Sequence, residues 1–270
     1  MIVPPRSRHI SARFGAAAPT YDRQPGVQPV VAEKVIDIIR TSECLNQLPT
    51  PRVLEIGCGT GALTELLIAR FPTARILAVD IAEAMVEQAR QRLRNPGNVT
   101  WQAGDIRHLN LSPYAFDLMT SSSALHWVQP LKPTLKRLRN ALTPGGTFIC
   151  GVMSRGTLQE LHDLRREIAP DKASPEQLPA PEQILDAVRG AGMEIVDSRL
   201  EQFVTRYDSG LNFLRILNRQ GVTGGIYAPE QALNRAEIKQ LVAEYEKRFA
   251  HPAGGVAATY NTVFIRARNR

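Results

Sequence analysis

Glu55 stands two residues ahead of Gly57, Gly59 and Gly61, three glycines at alternate positions that close the apolar run Val53-Leu54-Glu55-Ile56. A strand meeting a helix across such a turn lets the backbone approach a ligand closely and aims a helix N-terminus at it. A dinucleotide site prefers G-x-G-x-x-G with no acid just before the turn. Glu55 is unwelcome beside a pyrophosphate and suits a cationic group such as an ammonium. The competing reading of the glycines is a tight turn with no ligand.

Two more acids fall where successive strands should end. Asp80 closes Ile76-Leu77-Ala78-Val79, 23 residues after Gly57, where a carboxylate accepts both hydroxyls of a ribose. The alternative is a helix N-cap acid. Ile81 and Met85 follow and could flank an adenine, Met85 serving equally well as core. Gly104-Asp105-Ile106 closes a third strand, where Asp105 can accept from an exocyclic amine and the Ile106 N–H can donate to a ring nitrogen. A fourth strand ends in Ser121-Ser122-Ser123-Ala124-Leu125-His126-Trp127, at the carboxyl edge where open sheets bind ligands. Ser121, Ser122 and Trp127 are therefore expected beside the cofactor and His126 at the substrate entrance, although a His beside a Trp is often only a packed pair.

These positions need an alternating scaffold. Strands are predicted at Arg52–Ile56, Arg75–Asp80, Val99–Ala103, Phe116–Ser121 and Thr147–Val152, and helices at Ala62–Arg70, Glu83–Arg94 and Leu131–Leu142. Alternation of this kind implies an α/β protein, a mostly parallel sheet with helices on both faces. Residues 1–12 have no periodicity and should fray, whereas Ser11–Arg40 is helical in two pieces broken near Pro19 and Pro25. Its second piece carries an apolar stripe of Val27, Val30, Val31, Val35, Ile36 and Ile39. Pro144-Gly145-Gly146 is a stop before the fifth strand. Later come a helix at Thr157–Ile168, a proline-rich loop over 170–181, a helix at Pro181–Ala191, a strand at Met193–Phe203, helices at Tyr207–Gln220 and Pro229–Phe249, and a last strand at Tyr260–Arg268. The expected organisation is an N-terminal helical lid (1–40), a ligand-binding core (41–204), a helical substrate-region insertion before the last strand (205–258), and the last core strand with a tail (259–270).

At 270 residues, 43% hydrophobic and 22% charged, the chain can bury one full core. No apolar run reaches the ~20 residues of a membrane span, and the start lacks a secretory h-region, so a cytoplasmic protein with no membrane partner is expected. Cys44, Cys58 and Cys150 show no paired spacing, which implies neither disulfides nor a metal site. The net charge of +7 favours an acidic partner. No arginine-glycine tract or aromatic-basic repeat points to nucleic acid.

Together the strand-end residues resemble the class I S-adenosylmethionine-dependent methyltransferases over about residues 11–155. Arg13-Phe14-Gly15-Ala16-Ala17-Ala18-Pro19-Thr20-Tyr21-Asp22 with Gln28, the Leu125-His126-Trp127 segment, Gly156-Thr157-Leu158-Gln159-Glu160-Leu161, Leu214-Arg215 to Gly221-Val222 with Gly224, and Tyr260-Asn261-Thr262-Val263-Phe264 narrow this. They look like the malonyl-acyl-carrier-protein O-methyltransferase family of biotin synthesis. That family often has glutamine where His126 stands and asparagine where Ser122 stands. The resemblance implies a Rossmann-like seven-stranded sheet and S-adenosylmethionine as cofactor, with Tyr21 and Gln28 covering its methionine end. It also implies an acyl-carrier-protein or coenzyme A thioester as substrate and a monomer. The free carboxylate of the malonyl group would be the methyl acceptor. One cation at most should touch it, Arg215 first and Arg155 second, helped by Tyr21 and His126, because a bidentate grip would blunt the nucleophile. Lys132, Lys136, Arg137, Arg139, Arg165 and Arg166 are candidates to dock an acidic carrier. Competing readings are a methyltransferase of a small acid such as trans-aconitate, and a non-catalytic S-adenosylmethionine-binding module.

Overall fold

A computed structural model describes residues 5–23, 26–172, 178–221 and 232–270. In chain order it contains α1 (Pro5–Ala17), a 3₁₀ segment (Ala18–Arg23), α2 (Gln28–Arg40), α3 (Glu43–Asn46), β1 (Arg52–Ile56), α4 (Ala62–Arg70), β2 (Arg75–Asp80), α5 (Glu83–Arg92), β3 (Val99–Ala103) and β4 (Phe116–Ser122). A 3₁₀ turn (Leu125–Trp127) leads to α6 (Leu131–Arg139), β5 (Leu142–Met153), α7 (Gln159–Ile168), a 3₁₀ turn (Pro170–Lys172), α8 (Pro181–Gly190), β6 (Met193–Tyr207), α9 (Gly210–Arg219), α10 (Arg235–Arg248) and β7 (Val256–Asn269). Pro25, the residues Val222 and Gly224 quoted above, and the start of the helix expected from Pro229 lie outside the described residues.

The seven strands form one sheet in the order β3-β2-β1-β4-β5-β7-β6, parallel except that β7 runs antiparallel to β5 and β6. Strand order reverses between β1 and β4, so a crevice opens at their carboxyl ends. The central strands are apolar because both faces are covered. On one face α2 lays Val31, Val35, Ile36 and Ile39 against the sheet beside Leu63 and Leu67 of α4. On the other, Leu131, Leu135 and Leu138 of α6 pack with Ile184 and Val188 of α8. Among the described residues no helix is long and apolar enough to cross a membrane.

The structure departs from the sequence expectations at several boundaries. Residues 5–12, expected to fray, are helical: α1 begins at Pro5, a residue suited to the first helical position, and buries Ser7 and Ile10, while residues 1–4 lie outside the described residues. Val30 leaves the stripe of α2 and is 40% exposed. Helix α6 stops at Arg139, and β5 begins at Leu142 rather than Thr147. Leu142 already pairs with Phe116, after which the register jumps to Leu118 opposite Thr147, so Pro144-Gly145-Gly146 is a bulge in the strand. Strands β6 and β7 overrun their expected ends because each supplies the other's partners, out to Tyr207 opposite Val256. Residues 205–207 and 256–258, placed with the helical insertion on sequence grounds, are therefore strand.

Candidate active site

The glycine turn is held by its own backbone. The N–H groups of Gly57 and Cys58 both donate to the Val79 carbonyl, at 2.8 and 2.9 Å. Gly57 has φ +75°, and a Cβ there would lie 2.1 Å from the Ala124 Cβ, so β1 and the segment after β4 touch through a missing side chain. The Gly59 N–H donates to Asp80 Oδ2 at 2.9 Å, and the Ala82 N–H to Oδ1 at 2.9 Å. Gly61 starts α4 and meets Leu93 and Ala89, a packing position outside the ligand cavity.

A cavity of about 1050 Å³, counted with its open mouth, lies over this turn. Glu55, Gly57, Gly59, Asp80, Ile81, Met85, Asp105, Ile106, Ser122 and Trp127 line it, from four different strand ends. Glu55 is 1% exposed, and Thr64 donates to its Oε2 at 2.6 Å. Burial pushes its pKa up to about 7, against the pull of the Thr64 hydroxyl, with the Asp80 charge adding to the rise. Burial also raises the Asp80 pKa, opposed by the N–H groups of Ala82 and Gly59. Asp105 behaves differently. Burial raises it, but Arg107 outweighs that and holds the carboxyl below its ordinary value.

Arg107 carries no signal in the sequence, yet it ties three segments together. Its Nε donates to both Asp105 oxygens at 3.0 and 3.1 Å, its Nη1 to the Gln129 carbonyl at 2.7 Å, and its Nη2 to the Ser7 hydroxyl. The N-terminal segment is anchored over the cavity at two further points, Ser11 Oγ to the Ile81 carbonyl at 3.1 Å and Thr60 Oγ1 to Asp22 Oδ1 at 2.5 Å. Ile10 and Phe14, one helical turn apart on α1, form part of the cavity wall.

A second cavity, of about 600 Å³, adjoins the first. Phe14, Tyr21, Gln28, Ser123 and Trp127 line both. Burial and the nearby Asp80 and Asp22 charges raise the Tyr21 pKa, so its phenol stays protonated. Ser123 sits at φ +55°, and its buried hydroxyl has no partner among the described residues. Neither the strained backbone nor the orphan hydroxyl could be told from the three-serine run. The rest of the second cavity is formed by His126, Met153, Leu158, Leu217, Gln220, Tyr260 and neighbours, with no Asp, Glu, Lys or Arg among its described lining residues. Burial pushes the His126 pKa down to about 3, so its imidazole is neutral, and its Nδ1 is buried without a hydrogen-bond partner among the described residues.

Several expected residues lie elsewhere. Ser121 is fully buried and donates to the Ile56 carbonyl at 2.7 Å, which joins β4 to β1 and keeps it out of the cavity wall. Arg215 and Arg155 are exposed, and neither lines either cavity. The periodicity of α9 explains the first: Phe213, Ile216 and Leu217 take the buried face and turn Arg215 to solvent. Most of the proposed docking cations serve the fold. Arg137 donates to the carbonyls of Leu109 and Ile106, Arg139 to Asn269, Arg165 to the Lys172 carbonyl, and Arg166 pairs with Asp163. Lys132 and Lys136 stay exposed on α6.

Comparison with known proteins places this geometry. A family model described as a methyltransferase domain matches residues 53–146. Malonyl-[acyl-carrier protein] O-methyltransferase of Bacillus cereus is 30% identical over 267 residues, covering 95% of both chains. The biotin biosynthesis bifunctional protein BioCD of Bordetella avium is 33% identical over 95% of this chain, which matches 51% of that longer protein. Among solved structures, the YcgJ protein of Bacillus subtilis shares the fold, with a TM-score of 0.61 at 18% identity over 88% of this chain and 99% of its own. With the Glu55, Asp80 and Asp105 strand ends around one cavity, this chain belongs to the malonyl-[acyl-carrier protein] O-methyltransferase family of S-adenosylmethionine-dependent methyltransferases.

Proposed function

We propose that the protein methylates the free carboxylate of a malonyl thioester, presented on an acyl carrier protein or coenzyme A, as a step of biotin synthesis. The observation that carries the reading is the junction of two cavities at Tyr21, Gln28, Ser123 and Trp127, one lined by three carboxylates and the other by no carboxylate, lysine or arginine among the described residues. The name of the whole-length Bacillus cereus relative supports the choice of acceptor, that of the longer Bordetella avium protein supports biotin synthesis, and a basic chain of net charge +7 suits an acidic carrier.

The residues of the first cavity fit S-adenosylmethionine. Glu55, buried and partnered by neutral Thr64 rather than by a cation, offers a negative partner to the amino acid ammonium. Asp80 keeps lone pairs for ribose hydroxyls beyond its two backbone donors, and Ile81, Met85 and Ile106 supply apolar contact for the base. The cofactor supplies an electrophilic methyl on a positively charged sulfur. The carboxylate of the acceptor is ionised at neutral pH without help, since such groups titrate near 4. A bound cofactor would supply its methyl to one of the carboxylate oxygens and keep the electron pair of the broken bond on sulfur, so that opposite charges would cancel and this chain's residues would have no proton to move. What the chain contributes is alignment and exclusion of water. An uncharged acceptor cavity serves that end, because neutral donors orient the carboxylate without the charge neutralisation of a guanidinium.

Incubation with labelled S-adenosylmethionine and, separately, malonyl carrier protein, malonyl-coenzyme A and trans-aconitate tests the proposal. Base-labile label on the malonyl thioesters is expected, and label on trans-aconitate alone would overturn it. Arg215→Ala and Arg155→Ala are expected to leave kcat/KM for malonyl-coenzyme A within about twofold, as for other exposed substitutions. A loss beyond about tenfold in either would show that the residue reaches the acceptor.

A further inference from the structure

Tyr207 and Tyr260 lie near the second cavity, on β6 and β7, with their hydroxyl oxygens 2.6 Å apart. Neither phenol has another protein hydrogen-bond partner among the described residues. The Tyr245 hydroxyl is turned away to the Ala257 carbonyl; Glu160 accepts from the Thr259 hydroxyl at Oε1, while its buried Oε2 bonds to neither phenol among the described residues. Two phenols bonded only to each other hold two hydrogens and share one bond, so one O–H is left over. The surroundings decide where it goes. Tyr207 is 1% exposed, packed 4.9 Å from the Phe213 ring, and lines neither cavity. A leftover O–H there would be a buried donor with nothing to accept it. Tyr260 lines the second cavity.

We infer that Tyr207 donates to Tyr260 and that Tyr260 in turn donates its own O–H into the second cavity, as the hydrogen-bond donor that orients the oxygen of the acceptor's reacting acyl group. The inference rests on the reading that this cavity takes the acceptor. Accepting from Tyr207 strengthens Tyr260 as a donor, because hydrogen bonds in a chain polarise one another. Tyr260 touches the acceptor, whereas Tyr207 is a positioning residue that acts only through it. Both stay uncharged, which preserves the neutral lining argued above.

The test compares wild type, Tyr260→Phe, Tyr207→Phe and the double variant. Initial rates are measured against malonyl-coenzyme A at saturating S-adenosylmethionine, with S-adenosylhomocysteine affinity and thermal unfolding recorded for each. Tyr260→Phe is expected to lower kcat/KM by about ten- to a hundredfold, the scale of a hydrogen bond to a charged group, while the affinity for S-adenosylhomocysteine holds within about twofold. Tyr207→Phe is expected to cost about threefold. The double variant should match Tyr260→Phe alone, since Tyr207 has no other route to the acceptor. Unchanged kcat/KM in Tyr260→Phe would overturn the inference, as would losses that multiply in the double variant or that follow weakened S-adenosylhomocysteine binding. Should Tyr260→Phe fold poorly, Tyr207→Phe keeps the cavity wall intact, and its unaltered rate would overturn the inference. If wild type methylates trans-aconitate and not the malonyl thioester, the same comparison is run on trans-aconitate. A loss there would uphold Tyr260 while the malonyl reading falls.

Discussion

Glu55→Gln is expected to weaken S-adenosylhomocysteine binding by at least about a hundredfold while making the ligand-free protein more stable at pH 8. Both effects come from one buried carboxylate. Its pKa rises from 4.5 in the unfolded chain to about 7 in the fold, so the folded state holds a proton more tightly than the unfolded state does. Stability is therefore lost as pH climbs from the unfolded value through about 7, to a cost on the order of 3 kcal/mol above it. Glutamine has no charge to bury and avoids that cost. On the proposed binding mode it also removes the negative partner of the ligand's ammonium, which in the wild type would draw the carboxylate back to its ionised form. Wild-type affinity for S-adenosylhomocysteine should thus be flat above pH 7 and weaken by up to about tenfold per unit below it, with proton release on binding. Calorimetry in buffers of different ionisation enthalpy reads that proton, and the variant should show a flat profile across the range. A pH-independent wild type would contradict this account.

Gly57→Ala is expected to destroy the site by a different route. The new methyl would sit 2.1 Å from the Ala124 Cβ, far inside contact distance, and the residue would have to keep φ +75°. The left-handed backbone alone costs about 1–2 kcal/mol with a side chain present. The overlap is relieved only by moving β1 away from the segment that carries Ser122, Ser123 and His126. The midpoint of thermal unfolding should fall by at least about 6 °C, and S-adenosylhomocysteine affinity by about a hundredfold. A soluble variant with wild-type affinity would show that the close approach is not required.

The placement of the first cavity was legible from residue types. Glu55, Asp80 and Asp105 each lie at or just past the carboxyl end of a strand predicted from the sequence, and in a parallel sheet all carboxyl ends face one way, so acids at those positions meet whatever the details of packing. The second cavity was far less so. His126, Trp127, Tyr21 and Gln28 could be named from local pattern, but their joint role at a junction depends on how α1 and the 3₁₀ segment after it lie over the sheet. Arg215 shows the limit most clearly. A cation on a helix near the substrate is chemically attractive, and only the buried face chosen by Phe213, Ile216 and Leu217 turns it outward. Arg107 shows the converse, a surface-type residue recruited inward because Asp105, Ser7 and the Gln129 carbonyl converge on it from three segments.

What the sequence determined by itself was the alternation of strands and helices, the glycine turn and the three acids, because these depend on periodicity and on neighbours along the chain. Tertiary structure alone decided the elevated pKa of Glu55, the neutrality of His126, the contact of Gly57 with Ala124 and the pairing of Tyr207 with Tyr260. Hydrogen-bond partnership and close contact depend on groups between 53 and 70 residues away along the chain in the cases of Tyr207 with Tyr260, Gly57 with Ala124 and Ser11 with Ile81. Such partners come together only when the sheet closes.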